Sequence, residues 1–326
     1  LDLALEIIDK IKFEVLEEKK PVYVEAAIKA ENEVKALIKG NHDDLKEITV
    51  DGKIVYQNNE GDQNSQSEEE LDNIIKKLDI KQLIELVEEE FNSHHLQLLK
   101  DGLKLNSAIA RAGREGIGSG VGEKYRNRKD FSKLNEISAL AADGTGARMA
   151  GAPSPALASS GSGNQGIFIS LVTYHSARYY FEAAEADIFK ATMLAHLVGH
   201  YAKIYIGRLS ALCGLFYAAA PGVLAALLYL AGKEDKIETA INNLISDTSG
   251  VYCDGAKGSC ALKSITAAEL ALRHFDLIME DLDCHLPSGF INCSLKQTFK
   301  NLAEISQPSE NTVNNTLFKL VEDNAC

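Results

Sequence analysis

Tryptophan is absent from this 326-residue chain, and aromatic residues make up only 7% of it. Ala, Leu and Ile must therefore do most of the packing. Positive charge is also scarce, since 34 Lys and Arg stand against 47 Asp and Glu for a net charge of −13. No basic stripe with interleaved aromatics occurs, which argues against nucleic acid or an anionic membrane as the main partner. Cysteine is sparse: six residues, at 213, 253, 260, 284, 293 and 326, all in the second half. A secreted disulfide scaffold would be smaller and denser in Cys. No signal peptide is visible, so a cytoplasmic, reducing location is expected. The chain opens at Leu1 without a Met, and the expectation is that an N-terminal piece is missing.

Long apolar runs are few. Residues 209–232 are 24 positions without a charge, long enough to span a bilayer. The run is rich in Ala and broken by Pro221–Gly222, so two buried helical pieces of a globular core are expected instead. The 45% hydrophobic and 25% charged content is that of an ordinary globular protein with a large core.

The fold class expected is α+β. Residues 1–60 read as a small α+β unit, part of a larger domain whose first piece is absent. Residues 1–10 have helical apolar spacing. Residues 12–18, 22–31, 34–40 and 47–58 read as strands, with Asp51–Gly52 as a hairpin turn. Residues 59–70 (NEGDQNSQSEEE) read as a polar linker. From 71 to 326 the pattern is helical, with blocks at 71–78, 80–92, 96–114, 167–190, 192–210, 237–246, 265–282 and 312–322. Gly-rich loops interrupt these helices, and the whole is expected to be the catalytic domain. The apolar helices suit a homodimer.

Among the loops, residues 159–166 read SSGSGNQG. Gly161-x-Gly163-x-x-Gly166 matches the dinucleotide fingerprint, but Pro153 and Pro155 stand where a strand should precede it. The acidic residues that follow, Glu182 and Glu185, fall in a helical pattern. NAD binding is therefore not expected. The loop suits a carboxylate better: small residues let backbone approach a ligand, and the helix starting near Ile167 offers free N–H groups. Ser160, Gly161, Ser162, Gly163, Asn164 and Gly166 are the candidate substrate contacts. The plainer reading is a tight turn whose Ser caps the helix. Arg148, in ADGTGARMAGA, could clamp a carboxylate or pair with an acidic surface neighbour.

Cys253 and Cys260 frame a Gly-containing turn in YCDGAKGSC, and Cys213 lies 40 positions upstream in GRLSALCG. Thiolates on loop turns suit an iron–sulfur cluster, and three would leave one iron open. Cys213 alone would read as a small buried hydrophobe. A structural zinc site would show Cys-x-x-Cys pairs, although Cys284 and Cys293 could supply further ligands. His196 and His200 share a helix face at metal-compatible spacing but lack the Glu of a zincin, and helix-packing histidines are commoner.

Three motifs together, SGSGNQG, GRLSALCG and CDGAKGSCALK, resemble the serine dehydratase α-chain superfamily, in the branch of L-cysteine desulfidase and the UPF0597 proteins. The resemblance runs from about residue 27 to the C-terminus. It implies a lyase that uses an oxygen-sensitive [4Fe–4S] cluster and no pyridoxal phosphate. The implied reaction removes the α-proton and β-substituent of L-cysteine or L-serine, giving pyruvate, ammonia, and sulfide or water. By motif, Cys213 and Cys253 match cluster ligands, and Cys260 matches the second Cys of the family's loop. Lys257 is a candidate base for the α-proton, beside a cluster-bound thiolate or hydroxide. The chain departs from the family pattern in lacking a Gly-Cys-Thr-Glu-Pro segment and in having Gly146 where Asp is expected. Cys326 matches a terminal ligand of some relatives only by position. The alternative is a non-catalytic amino-acid-binding homologue that has lost its cluster.

Overall fold

The computed structural model describes residues 10–12, 14, 16, 23–40, 44–58, 61–281, 289–306, 313, 316, 317, 319 and 320, with the side chains of 61–67 left aside. The chain divides into two compact units, Leu1–Leu71 and Asp72–Cys326. The first carries β1 (Tyr23–Lys29), β2 (Glu33–Lys39), β3 (Leu45–Val50) and β4 (Lys53–Gln57), paired antiparallel in chain order. Asp51 (φ 48°) and Gly52 (φ 76°) both take left-handed backbone, as a two-residue hairpin turn of the right twist demands. The Asp51 side chain also accepts from the Glu33 N–H at 2.8 Å, tying the hairpin tip to β2. The helix expected over 1–10 and most of the strand over 12–18 lie outside the described residues. Positions 12, 14 and 16, which are described, carry no strand.

The second unit is mainly helical, so the α+β reading holds: a small antiparallel sheet, then helices. Its elements are α1 (Gly61–Ile75, which begins in the first unit), α2 (Ile80–Glu90), α3 (Ser93–Arg114), α4 (Val121–Arg126) and α5 (Lys133–Met149). They continue as α6 (Gly163–Tyr180), α7 (Glu185–Ile206), α8 (Ala220–Leu230), α9 (Ile237–Asp247), α10 (Cys260–Met279) and α11 (Leu295–Ser306). Residues 61–70, read from sequence as a linker, are helical. The break expected at residue 191 lies instead at 181–184, where Phe181 and Ala184 are extended and Glu185 and Asp187 favour a new helix N-terminus. Of the helix expected over 312–322, positions 313, 316, 317, 319 and 320 are helical and the others lie outside the described residues.

A few buried rings (Tyr201, Tyr217, Phe168, Phe189 and Phe299) are packed round by close contact of small and aliphatic residues. In α8 every side chain from Ala220 to Leu228 is buried, and Leu224, Leu227 and Leu228 are fully so. Each such leucine contributes roughly 1.5–3 kcal/mol. A Cβ on Gly222 would stand 2.2 Å from the Ala195 carbonyl of α7, so a side chain there would force these helices apart. The apolar run 209–232 is thus a loop, a π turn (Leu215–Ala219) and α8. No helix among the described residues is long and apolar enough to cross a membrane.

An ion network positions α5. Arg126 donates from Nε to Glu136 at 2.7 Å and pairs through Nη2 with the buried Asp143 at 2.7 Å. Burial disfavours the Arg126 charge, but the hydrogen bonds to Glu136 and Asp143 outweigh it and raise its pKa. Asp143 is pushed up by burial, with Arg126 opposing.

Candidate active site

Four segments of the helical unit meet here: the end of α5, the 159–166 loop with the start of α6, the 211–214 segment, and the 252–263 loop with the start of α10. Ser159 and Ser162 exchange backbone hydrogen bonds at 3.0 and 2.9 Å, closing a two-residue turn. Its central residues, Ser160 (φ 49°) and Gly161 (φ 75°), are both left-handed. Ser162 is the N-cap of α6 and its hydroxyl accepts from the Gln165 N–H at 3.4 Å. The N–H groups of Gly163 and Asn164 fall in the first turn, where a helix has no internal acceptor to give them. The loop is therefore a capping turn and also an N-terminus able to attract an anion.

Arg148 is in the last turn of α5, not in a loop as the Gly/Ala-rich sequence suggests. It reaches the α6 start, donating from Nη1 to Asn164 Oδ1 at 3.1 Å. A Cβ on Gly163 would stand 2.3 Å from Arg148 Nε, so this position must be glycine for the guanidinium to lie against the helix start. No carboxylate pairs with Arg148 among the described residues. Gly166 has a structural duty, since its Cβ would meet the Leu157 carbonyl at 1.8 Å. Ser160 turns its hydroxyl to His200 Nδ1 at 3.0 Å, and Ser159 meets His196 Nδ1 at 3.0 Å. The two histidines thus brace the turn from α7.

Cys213 and Cys253 are brought together by a short backbone bridge, Leu212 to Tyr252. The Cys213 N–H donates to the Val251 carbonyl at 3.1 Å, and the Cys253 N–H to the Ala211 carbonyl at 2.7 Å. Burial raises the Cys213 thiol pKa, and the neighbouring Cys253 raises it further while Lys263 opposes. Cys260 opens α10 with its Sγ 3.8 Å from the Gly255 carbonyl. The four described cysteines, Cys213, Cys253, Cys260 and Cys293, are free thiols. Among the described residues, no three His, Cys, Asp or Glu side chains converge into a group that could hold a metal. Cys284 and Cys326 lie outside them.

Sequence reasoning missed three residues. Gln165 is buried, and its amide lies against Gly214, the neighbour of Cys213. Lys203, on α7, is only 3% exposed; burial lowers its pKa to about 8, and the thiols it is coupled to are Cys253 and Cys213. A single Lys inside the apolar run HYAKIYI was the available sign. Lys263 donates to the Tyr252 carbonyl at 2.8 Å and to Asp254 Oδ1 at 3.1 Å, holding the thiol loop. Lys257, the base suggested by sequence, is half exposed and paired with Asp254, whose pKa falls to about 2 chiefly through that hydrogen bond. A Cβ on Gly146 would stand 3.5 Å from Ala261 Cβ and 3.7 Å from Ser119 Oγ, so a side chain here would point to the start of α10.

A protein-family model described as "Serine dehydratase alpha chain" matches residues 22–318. A UPF0597 protein of Clostridioides difficile is 33% identical over 315 residues, covering 93% of this chain and 72% of that protein. UPF0597 proteins of Kosmotoga olearia and Geobacter sulfurreducens are 31% and 30% identical, across 96% and 93% of this chain and 74% and 71% of theirs.

Proposed function

Since the chain belongs to the serine dehydratase α-chain family, we propose that it is an α,β-eliminating lyase acting on L-cysteine or L-serine. The observation that carries this reading is the pairing of Cys213 and Cys253 across the Leu212–Tyr252 bridge, next to the Gln165–Gly214 contact. That contact sets the anion-attracting start of α6 beside the thiols.

In this reading Cys213, Cys253 and Cys260 would hold a [4Fe–4S] cluster. The donor set fits by chemistry: free soft thiols with the cations Lys203 and Lys263 coupled to Cys213 and Cys253. When bound, the cluster supplies a Lewis-acidic iron for the substrate's β-substituent. The chain's own residues do the rest. The first-turn N–H groups of Gly163 and Asn164, with Arg148 forked toward the same place, bind the substrate carboxylate. Ser162 and Gly166 hold that helix start in shape. Ser160 and Gly161 make the turn that precedes it. Lys203 offsets the negative charge of the thiolates inside the protein. Lys257 is paired with Asp254, so it can accept the α-proton only after it leaves that contact and gives up a proton of its own.

One observation favours a second reading, a non-catalytic amino-acid-binding homologue: the three thiols do not converge as a metal-holding group. Anaerobic reconstitution with iron and sulfide, followed by pyruvate assay and calorimetry with L-cysteine and L-serine, separates the two. Pyruvate release supports the lyase. Saturable heat of binding without pyruvate supports the binding homologue.

A further inference from the structure

A cavity of 370 Å³ lies among α2, α3, α7 and residues 157–160, and no thiol lines it. Its walls are apolar: Leu86, Leu98, Leu99, Leu157, Met193 and Leu197. Its volume and lining are those of a small-molecule site. Ser160 and His200 are its polar groups of interest, and a third residue stands behind them. His200 Nε2 lies 2.8 Å from Asp72 Oδ1, and His200 Nδ1 lies 3.0 Å from Ser160 Oγ. Because the carboxylate can only accept, Nε2 carries the ring proton and Nδ1 keeps its lone pair for the Ser160 hydroxyl. Arg208 approaches the other Asp72 oxygen at 3.9 Å.

The two-residue turn that holds Ser160 adds two features. Ser160 sits in left-handed backbone (φ 49°), a rare conformation for a non-glycine residue and the kind of tight turn that presents a nucleophile. Among the described residues no acceptor is found for the N–H of Gly161, the residue after it, so this donor is free for a developing oxyanion. Nucleophile, base, orienting carboxylate and apolar cavity thus occur together, with the Gly161 N–H, unpaired among the described residues, one residue from the nucleophile.

We propose that Ser160, His200 and Asp72 form an acyl-transfer triad that hydrolyses small apolar carboxylic esters bound in this cavity. Ser160 Oγ forms a bond to the ester carbonyl carbon while its proton passes to His200 Nδ1. The carbon–oxygen bond to the alcohol then breaks, and the alcohol leaves with that proton. Water attacks the acyl-serine in the same way, giving up a proton to His200 that returns to Ser160 as the carboxylic acid departs. No metal or redox partner enters the balance. The proposal is independent of the lyase reading.

The test uses the full chain, a fluorophosphonate probe and p-nitrophenyl butyrate. The expected result is modification at one residue, mapped by peptide mass spectrometry to Ser160. His200→Asn should slow labelling by about 100-fold or more and Asp72→Asn by about 10-fold or more, with melting transitions kept cooperative. Ser160→Cys preserves the size of the turn residue, and its thiol should be acylated at a rate that also falls about 10-fold or more with His200→Asn. Folded wild-type protein that leaves Ser160 unlabelled would overturn the proposal. So would labelling or thiol acylation that is indifferent to His200.

Discussion

A Cβ placed on Gly214 would stand 2.5 Å from Gln165 Nε2, so the buried amide at the start of α6 rests directly on the residue that follows Cys213. This contact joins the 159–166 loop to the thiol segment. Gly214→Ala should therefore push the two apart. A cost of about 1–3 kcal/mol in stability is expected from the overpacking, together with loss of pyruvate formation. Thermal melts and the pyruvate assay measure the two effects. Wild-type values in both would mean that the segments tolerate separation.

Arg148 meets the α6 start through Asn164 at 3.1 Å, with no competing carboxylate among the described residues. Arg148→Lys keeps the charge but loses the planar fork, and the amine cannot contact two carboxylate oxygens in the same way. KM for the amino acid should rise about 10-fold or more with a smaller change in kcat. Steady-state kinetics decide it, and an unchanged KM would remove Arg148 from substrate binding.

Lys203 makes a sharper case because stability and function should move in opposite directions. Its pKa falls from 10.5 to about 8, chiefly through burial. A base whose folded pKa is lowered costs stability below the folded value. The cost fades as pH rises from about 8 toward 10.5, because the unfolded chain then holds the extra proton. The gap corresponds to about 3 kcal/mol. Lys203→Met should thus stabilise the cluster-free protein at neutral pH by up to that amount and flatten its pH dependence above 8. It should also lower lyase activity. Urea titrations across pH check the first claim, and destabilisation at neutral pH would contradict it.

His196 carries the opposite end of the pH range. Burial lowers its pKa from 6.5 to about 4, and its Nε2 finds no partner among the described residues. The unfolded chain takes up a proton at His196 as pH drops through 6.5 while the folded protein does not, so stability falls from there toward pH 4. His196→Gln should remove part of that slope, whatever its cost at neutral pH. An acid transition of the same steepness in wild type and variant would speak against a neutral buried imidazole.

Where the chain has a clear period, its structure could be read in advance. The strands alternate, and Asp51–Gly52 marks their turn; α2, α3 and α9 have one apolar face each, so their extents were nearly right. In α5 that signature is missing. Ten of its residues between Ile137 and Ala147 are buried on all sides, and Gly144, Thr145 and Gly146 read as loop although they pack against α6 and α10. The helix over 61–70 was hidden for the opposite reason, an entirely polar sequence. The site was legible in its parts, the Ser/Gly/Asn loop and the thiols, because short motifs carry them. The bridge that sets Cys253 beside Cys213 is a tertiary contact between segments 40 positions apart, and no local pattern announces it. Lys203 escaped notice because one charge in a buried helix leaves the apolar pattern almost intact.

The central claim is that the thiols and the α6 start form one eliminating site. Its most direct test is pyruvate release from L-cysteine and L-serine by protein reconstituted anaerobically with iron and sulfide, with iron measured in the same sample. The account predicts a brown protein that forms pyruvate, and loss of both colour and product in Cys213→Ser and Cys253→Ser. A folded protein that takes up no iron and makes no pyruvate from either amino acid would contradict it.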